Sequence, residues 1–336
     1  MSSLGKNKSL DFFKQNAIYF VLLILLVIIV GQDPSFLSLR NFSNILTQSS
    51  VRLIIALGVA GLLVTQGTDL SAGRQVGLAA VVSATMLQSM DNFNKVFPDL
   101  GEVPIPVVIL VVAAVGAVLG LLNGLIIAYL NVTPFIATMG TMIIVYGINS
   151  LYYDAVGSSP IAGFNESFSE FTQGFFRLGT FNLSYITIYA ILVSVFVWIM
   201  WNKTRFGKNI FAIGGNPEAA KVSGVNVARN LVVIYMIAGA LYGFGGMLEA
   251  GRIGSATNNL GFLYELDAIA ACVVGGVSFA GGVGTVIGVV TGVLIFTVIN
   301  YGLTYIGVNP YWQYIIKGSI IIFAVAIDSL KYAKKK

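Results

Sequence analysis

The chain has 336 residues, 57% of them hydrophobic and only 10% charged; a water-soluble domain, with about 25% charged residues, could not hide that much apolar surface. With no His and a single Cys, Cys272, it has no His-based acid–base chemistry, no His metal site and no intrachain disulfide, and its net charge of +5 reads as a topology signal rather than a nucleic-acid footprint. What remains is a single-domain, all-α polytopic membrane protein, and 38 glycines suit close helix packing and broken helices inside a bilayer.

Taken along the chain, apolar segments predict spans near 16–31, 51–66, 72–90, 104–130, 134–152, 184–201, 230–250, 265–279, 283–306 and 311–329, about ten in all. The first follows Lys6, Lys8 and Lys14 and ends in GQDPSF without a small-x-small cleavage site, so it reads as a retained span rather than a secretion signal. The segment 32–50 is amphipathic (FLSLRNFSNIL), and is expected in the membrane interface or partly re-entrant. The positive-inside rule puts both termini in the cytoplasm, with Arg74, the basic 202–230 loop, Lys331 and Lys334 to Lys336 on that side. Arg40, Arg52, Lys95, Arg177 and Arg252 then fall outside, with Lys317 just within the last span. The long 153–183 segment has no apolar run, and reads either as a solvated loop or as an outer docking surface.

The stretches VGAVLGLLNGLII (115–127) and VGTVIGVVTGVLI (283–295) share a GxxxGxxxG frame, through Gly116, Gly120, Gly124 and Gly284, Gly288, Gly292. Five spans separate them, so they run in opposite directions, which is the signature of an inverted repeat with a path between its halves, about 51–152 and 230–329. The glycine rows place small residues on one helix face for close packing, within the chain or across a dimer. A fainter pair is TDLSAGRQVGLAA (68–80) and YELDAIAACVVGG (264–276).

Polar residues within the spans are candidates for a translocation pathway or gate: Gln66, Asp69, Ser71, Arg74, Asn123, Asn149, Asn258 and Asn259, with Asn300 beside them. Most read instead as interhelical hydrogen bonds when taken singly. Asp69 with Arg74 reads as an ion pair steadying a non-helical turn or as a gate; Glu249 with Arg252 and Glu265 with Asp267 pose the same question. There is no GxxxxGK[ST], no nucleophile–base pair and no metal-ligand cluster, so the chain is not expected to be an enzyme or to hold a cofactor of its own.

Between the sixth and seventh spans the chain turns polar and basic: NKTRFGKNIFAIGGNPEAAKVSG (202–224). Asn216 as N-cap, Pro217 at the first position and Glu218 in the first turn predict a short helix over 217–223, stopped by Gly224. Physically this is either a helix lying on headgroups or a handle gripped by a partner. EAAKVSG resembles the Glu-Ala-Ala-x-x-x-Gly loop of ABC importer permeases through Glu218, Ala219, Ala220 and Gly224. The longer TRFGKNIFAIGGNPEAAKVSGV, which includes Arg205 and Gly207, and QGTDLSAG (66–73) resemble the monosaccharide and branched-chain amino-acid permeases of that class, and the likeness covers nearly the whole chain.

The resemblance implies a bacterial inner-membrane permease for a monosaccharide, working as two copies with an ATPase of two fused nucleotide-binding domains and a periplasmic sugar-binding protein. ATP and Mg would be held by the ATPase, which would grip the 217–223 helix. The alternative is an ion-coupled sugar symporter using Asp69 or Asp267 as proton carrier.

Overall fold

A computed structural model describes residues 17–333; Lys6, Lys8, Lys14 and Lys334 to Lys336, which weigh in the orientation argument, lie outside the described residues. Each expected span is helical: α1 (Ala17–Gln32), α2 (Leu39–Val64), α3 (Ala72–Met86), α4 (Ile105–Leu130), α5 (Pro134–Ala155), α7 (Tyr185–Lys203), α10 (Val227–Ile253), α11 (Tyr264–Val274), α12 (Val286–Tyr305) and α13 (Pro310–Ala333). Among the described residues six of these, α2, α4, α5, α7, α10 and α12, are long and apolar enough to cross a membrane by themselves. The chain is a multi-pass helical membrane protein. The 15-residue α3 and the 11-residue α11 are too short to cross alone.

The amphipathic segment 32–50 runs directly into the second span. Asp33 caps a 3₁₀ turn over Pro34–Leu37, and Ser38 then starts α2, which runs unbroken for 26 residues. Two of its polar side chains are tied to distant protein: Tyr301 donates to the buried Asn41 Oδ1 at 2.7 Å, and Ser43 donates to the Asn182 carbonyl at 2.5 Å. These partners lie far along the chain, so the segment looked unsupported in isolation.

The 153–183 segment is folded. Asn165 caps α6 (Glu166–Gln173), whose Phe168 is fully buried against Val112 and Met247. β2 (Phe175–Leu178) and β3 (Phe181–Ser184) form a hairpin, and β1 (Ile161–Ala162) pairs with β4 (Ser255–Ala256). This cap marks one end of the molecule. At the opposite end, α8 (Arg205–Gly215) and α9 (Pro217–Val222) lie beside the end of α2 and the 278–284 loop.

The glycine rows pack within the chain. A Cβ on Gly116 or Gly120 would fall on the carbonyls of Gly239 or Tyr235 in α10, and one on Gly124 would come within 2.7 Å of Val232 Cα. In the second row, Gly288 and Gly292 meet the carbonyls of Gly275 and Ala271 at the end of α11, while Gly284 touches Val64 and Val277. Gly243 and Gly246 of α10 likewise meet Val112 of α4 and Val76 of α3. Side-chain-free contacts of this kind let helix backbones approach closely and maximise dispersion attraction in lipid.

Candidate functional site: a clamped surface helix and two broken segments

The 202–226 region holds two helices, of which only the second was legible in advance. Thr204 begins α8 by accepting from Gly207 N at 3.0 Å. Phe206, Ile210 and Ile213 recur at helical spacing and turn inward, Ile210 and Ile213 being buried; that periodicity was the available signal. Gly207 lies against the carbonyls of Met200 and Trp201, and Gly214 against the carbonyl of Val64 and the amide of Gly282, so α8 lies flush on the ends of α7 and α2. Gln66 Nε2 donates to the Gly214 carbonyl at 2.8 Å, and Gly282 N donates to the Val64 carbonyl at 2.8 Å. Gln66, a pathway candidate of the sequence reading, is exposed and has its amide pinned in this joint.

Asn216 ends α8 and caps α9, its side chain accepting from Ala219 N at 3.0 Å. Pro217 and Glu218 fill the first turn as expected, and the helix ends one residue early, at Val222 with Ser223 as C-cap. Gly224 follows with φ +84°, a left-handed conformation that favours glycine, while Val225 N donates back to the Ala220 carbonyl at 3.0 Å. Ala220 is buried, whereas Glu218, Ala219 and Lys221 are exposed and Val222 is 89% exposed. Arg205 stands exposed at the start of α8.

From the joint the chain leaves α2 at Val64 and climbs through residues 65–71, with Gln66 at φ +63°, to the start of α3. This break is stitched to three helices. Ser71 N donates to Asp69 Oδ1 at 2.9 Å, as does Ser71 Oγ at 2.5 Å; Ser71 Oγ accepts from Gln75 Nε2 at 2.9 Å and Asn123 Nδ2 at 3.1 Å. Asn123 Oδ1 accepts from Thr141 Oγ1 at 2.6 Å, and Tyr235 donates to the Thr68 carbonyl at 3.1 Å. Asp69, Ser71 and Asn123 are all buried; Ser71 and Asn123 bond across helices, while Asp69 bonds only to Ser71, two residues on.

A second break, residues 254–263, descends from the opposite end and begins α11. It meets the first turns of α3. The Gly261 carbonyl lies against Gly73, the Leu260 carbonyl against Gly77, and the Glu265 carboxylate also against Gly73. Gly261 sits at φ +83° to make this approach. Asn149 Nδ2 donates to the Asn258 carbonyl at 3.2 Å.

The Asp69–Arg74 ion pair of the sequence reading does not form. Arg74 points the other way, its guanidinium 4.3 Å from the Tyr146 ring centre and 5.2 Å from that of Phe262, and it donates to Asn259 Oδ1 at 3.3 Å. Tyr146, Phe262 and Asn259 are exposed. Glu265 and Asp267 are also separated: Asp267 Oδ2 pairs with Lys317 at 3.1 Å and Arg52 at 3.5 Å. Glu249 and Arg252 do pair, through two 2.8 Å bonds, with Tyr264 donating to the same carboxylate. Among the described residues no group of His, Cys, Asp and Glu could hold a metal.

The model of a family described as "Branched-chain amino acid transport system / permease component" matches residues 41–325. The chain belongs to that family. The permease is 85% identical, over all 336 residues of both chains, to a galactose/methyl galactoside import permease protein of Haemophilus influenzae. It is 78% identical over the same full length to the protein of that name in Escherichia coli K12. A ribose import permease protein of E. coli K12 is 37% identical over 312 residues, 92% of each chain. No solved structure matches the permease significantly.

Proposed function

We propose that this chain is the membrane permease of an ATP-driven importer for galactose and methyl galactoside in a bacterial inner membrane. The observation that carries this reading is full-length identity of 78–85% to proteins named for that import, against 37% to a ribose import permease. The chain itself is not an enzyme: a partner ATPase with two fused nucleotide-binding domains holds ATP and Mg and hydrolyses the nucleotide. Two copies of the permease assemble with it, and a periplasmic binding protein delivers the sugar to the capped outer end.

In this reading α9 is the coupling helix. The ATPase seats around Glu218 and Val222, and α8 relays the motion through Gly214, Gln66 and Val64 to the break before α3. Ten crossings, with α3 and α11 as half-helices, leave both termini in the cytoplasm. Their arrangement supports an inverted repeat. A long helix, a break and a half-helix occur in α2, 65–71 and α3, and again in α10, 254–263 and α11, entering from opposite ends. The contacts follow the same rule, α10 packing on α4 and α3 as α2 packs on α12 and α11.

The sugar path follows the exposed face where Arg74, Tyr146, Phe262 and Asn259 converge. An arginine half-open on a helix of the membrane core is too costly to leave in lipid, and its aromatic cage and amide suit the faces and hydroxyls of a sugar ring.

The test is assembly and uptake by the double variant Glu218→Arg, Gly224→Pro. Normal insertion with lost ATPase co-purification or uncoupled hydrolysis is expected. Undiminished galactose uptake, or ATP-independent uptake by the chain alone in liposomes, refutes the coupling role.

A further inference from the structure

A polar cavity lies apart from the α3–α11 junction, between α2, α12 and α13 near the capped end. Its volume is about 340 Å³, and Gln48, Arg52, Asn300, Tyr305, Gln313 and Lys317 are among its walls. Three observations on it point to a ligand.

The first is charge. Arg52 and Lys317 share a single carboxylate oxygen, Asp267 Oδ2, so two cations are set against one anion. Another carboxylate, Glu249, is closed off by both guanidinium bonds from Arg252 and by the hydroxyl of Tyr264. Asp33, at the rim beyond Tyr305, is occupied in capping Ser35. Arg52 therefore keeps most of its donors uncommitted; its other contact is a Tyr264 ring 5.7 Å away. An excess cation within a bilayer calls for an anion.

The second is an unpaired amide. Asn300, 7% exposed, has no hydrogen-bond partner on either Nδ2 or Oδ1, although it lines this cavity. A buried amide left without partners costs free energy that a bound ligand would recover. The third is setting. Tyr311, Trp312 and Tyr314, in the first turns of α13 ahead of Lys317, are exposed, and exposed Tyr and Trp collect at the headgroup level of a membrane.

We propose that the cavity binds a phosphate-bearing anion, held by Arg52 and Lys317 with Asn300 donating to one oxygen; beside this aromatic belt the source is the headgroup of an anionic phospholipid. The site is independent of the sugar path and of the ATPase contact. A neutral sugar would satisfy Asn300 but leave the surplus charge in place.

The experiment uses the full-length chain in nanodiscs of phosphatidylcholine, with and without phosphatidylglycerol, and reads retained lipid by native mass spectrometry and the thermal midpoint. Lys317→Gln removes the surplus while leaving Asp267 paired with Arg52; Asn300→Leu keeps the charge and removes the amide. The wild type is expected to retain phosphatidylglycerol over phosphatidylcholine and to be stabilised by it. Lys317→Gln is expected to lower that preference about fivefold, the effect of one basic residue near an anionic headgroup, and Asn300→Leu to lower retention as well. If inorganic phosphate in pure phosphatidylcholine discs stabilises the wild type but not Lys317→Gln, the site stands and a free anion is its source. Equal lipid retention by the wild type and both variants, or a wild type indifferent to both phosphatidylglycerol and phosphate, overturns the proposal.

Discussion

Replacing Gly214 by alanine, with Gly215→Ala as its neighbour control, isolates the joint between the surface helices and the membrane core. A Cβ at 214 would overlap the Val64 carbonyl and the Gly282 amide, both backbone, while one at 215 meets nothing within 4 Å. Both variants gain helix preference, up to about 1 kcal/mol. Against that gain, overpacking at 214 costs about 1–3 kcal/mol. Lifting α8 from its seat also strains the two 2.8 Å hydrogen bonds from Gln66 and Gly282, each contributing about 0.5–1.5 kcal/mol. The net loss for Gly214→Ala is then about 1–5 kcal/mol, and for Gly215→Ala none. Thermal unfolding in detergent measures the stability difference. Galactose uptake per ATP hydrolysed, in proteoliposomes with the ATPase and binding protein, measures the coupling. Gly214→Ala should hydrolyse ATP while importing several-fold less sugar per turnover. Uptake equal to that of Gly215→Ala would show that α8 does not relay the motion, whatever the stability result.

Asn216→Ala removes the cap of α9, at a cost of about 1 kcal/mol, and should reduce ATPase retention in a pull-down without changing membrane insertion. Gly120→Ala forces a Cβ onto the Tyr235 carbonyl, whereas Gly140→Ala on α5 meets nothing within 4 Å; denaturant titration should show a loss of about 1–3 kcal/mol for the first and none for the second. Glu249→Ala strips the partner from Arg252, which is 25% exposed, so the loss should fall toward the lower end of about 3–5 kcal/mol, read as a lowered thermal midpoint. Arg74→Gln should insert and assemble normally yet import galactose more slowly, since the cage loses its charge and not its fold; uptake at the wild-type rate would remove this face from the path.

What could be read from the chain was local. Asn216, Pro217 and Glu218 announce α9 because cap chemistry acts over three or four residues, and the glycine frames announce tight packing because helix periodicity is short-range. What could not be read depends on distant partners. Asp267 finds Arg52 and Lys317 across 215 and 50 residues, so its adjacency to Glu265 misled. Arg74 turns from Asp69 toward aromatic rings that arrive from α5 and the second break, while Asp69 Oδ1 is held by Ser71, two residues on. The polar outer turns of α2 and the 153–183 cap were invisible for the same reason, their burial being supplied by each other's neighbourhoods.

The seam between α4 and α10 has a mechanical corollary. Where Gly116 meets Gly239 and Gly120 meets Tyr235, main chain touches main chain with no side chain between. Such a weld has no teeth to slip and no gap to widen, so those two helices must swing as one plank, and any opening wide enough for a hexose has to be hinged elsewhere in the molecule.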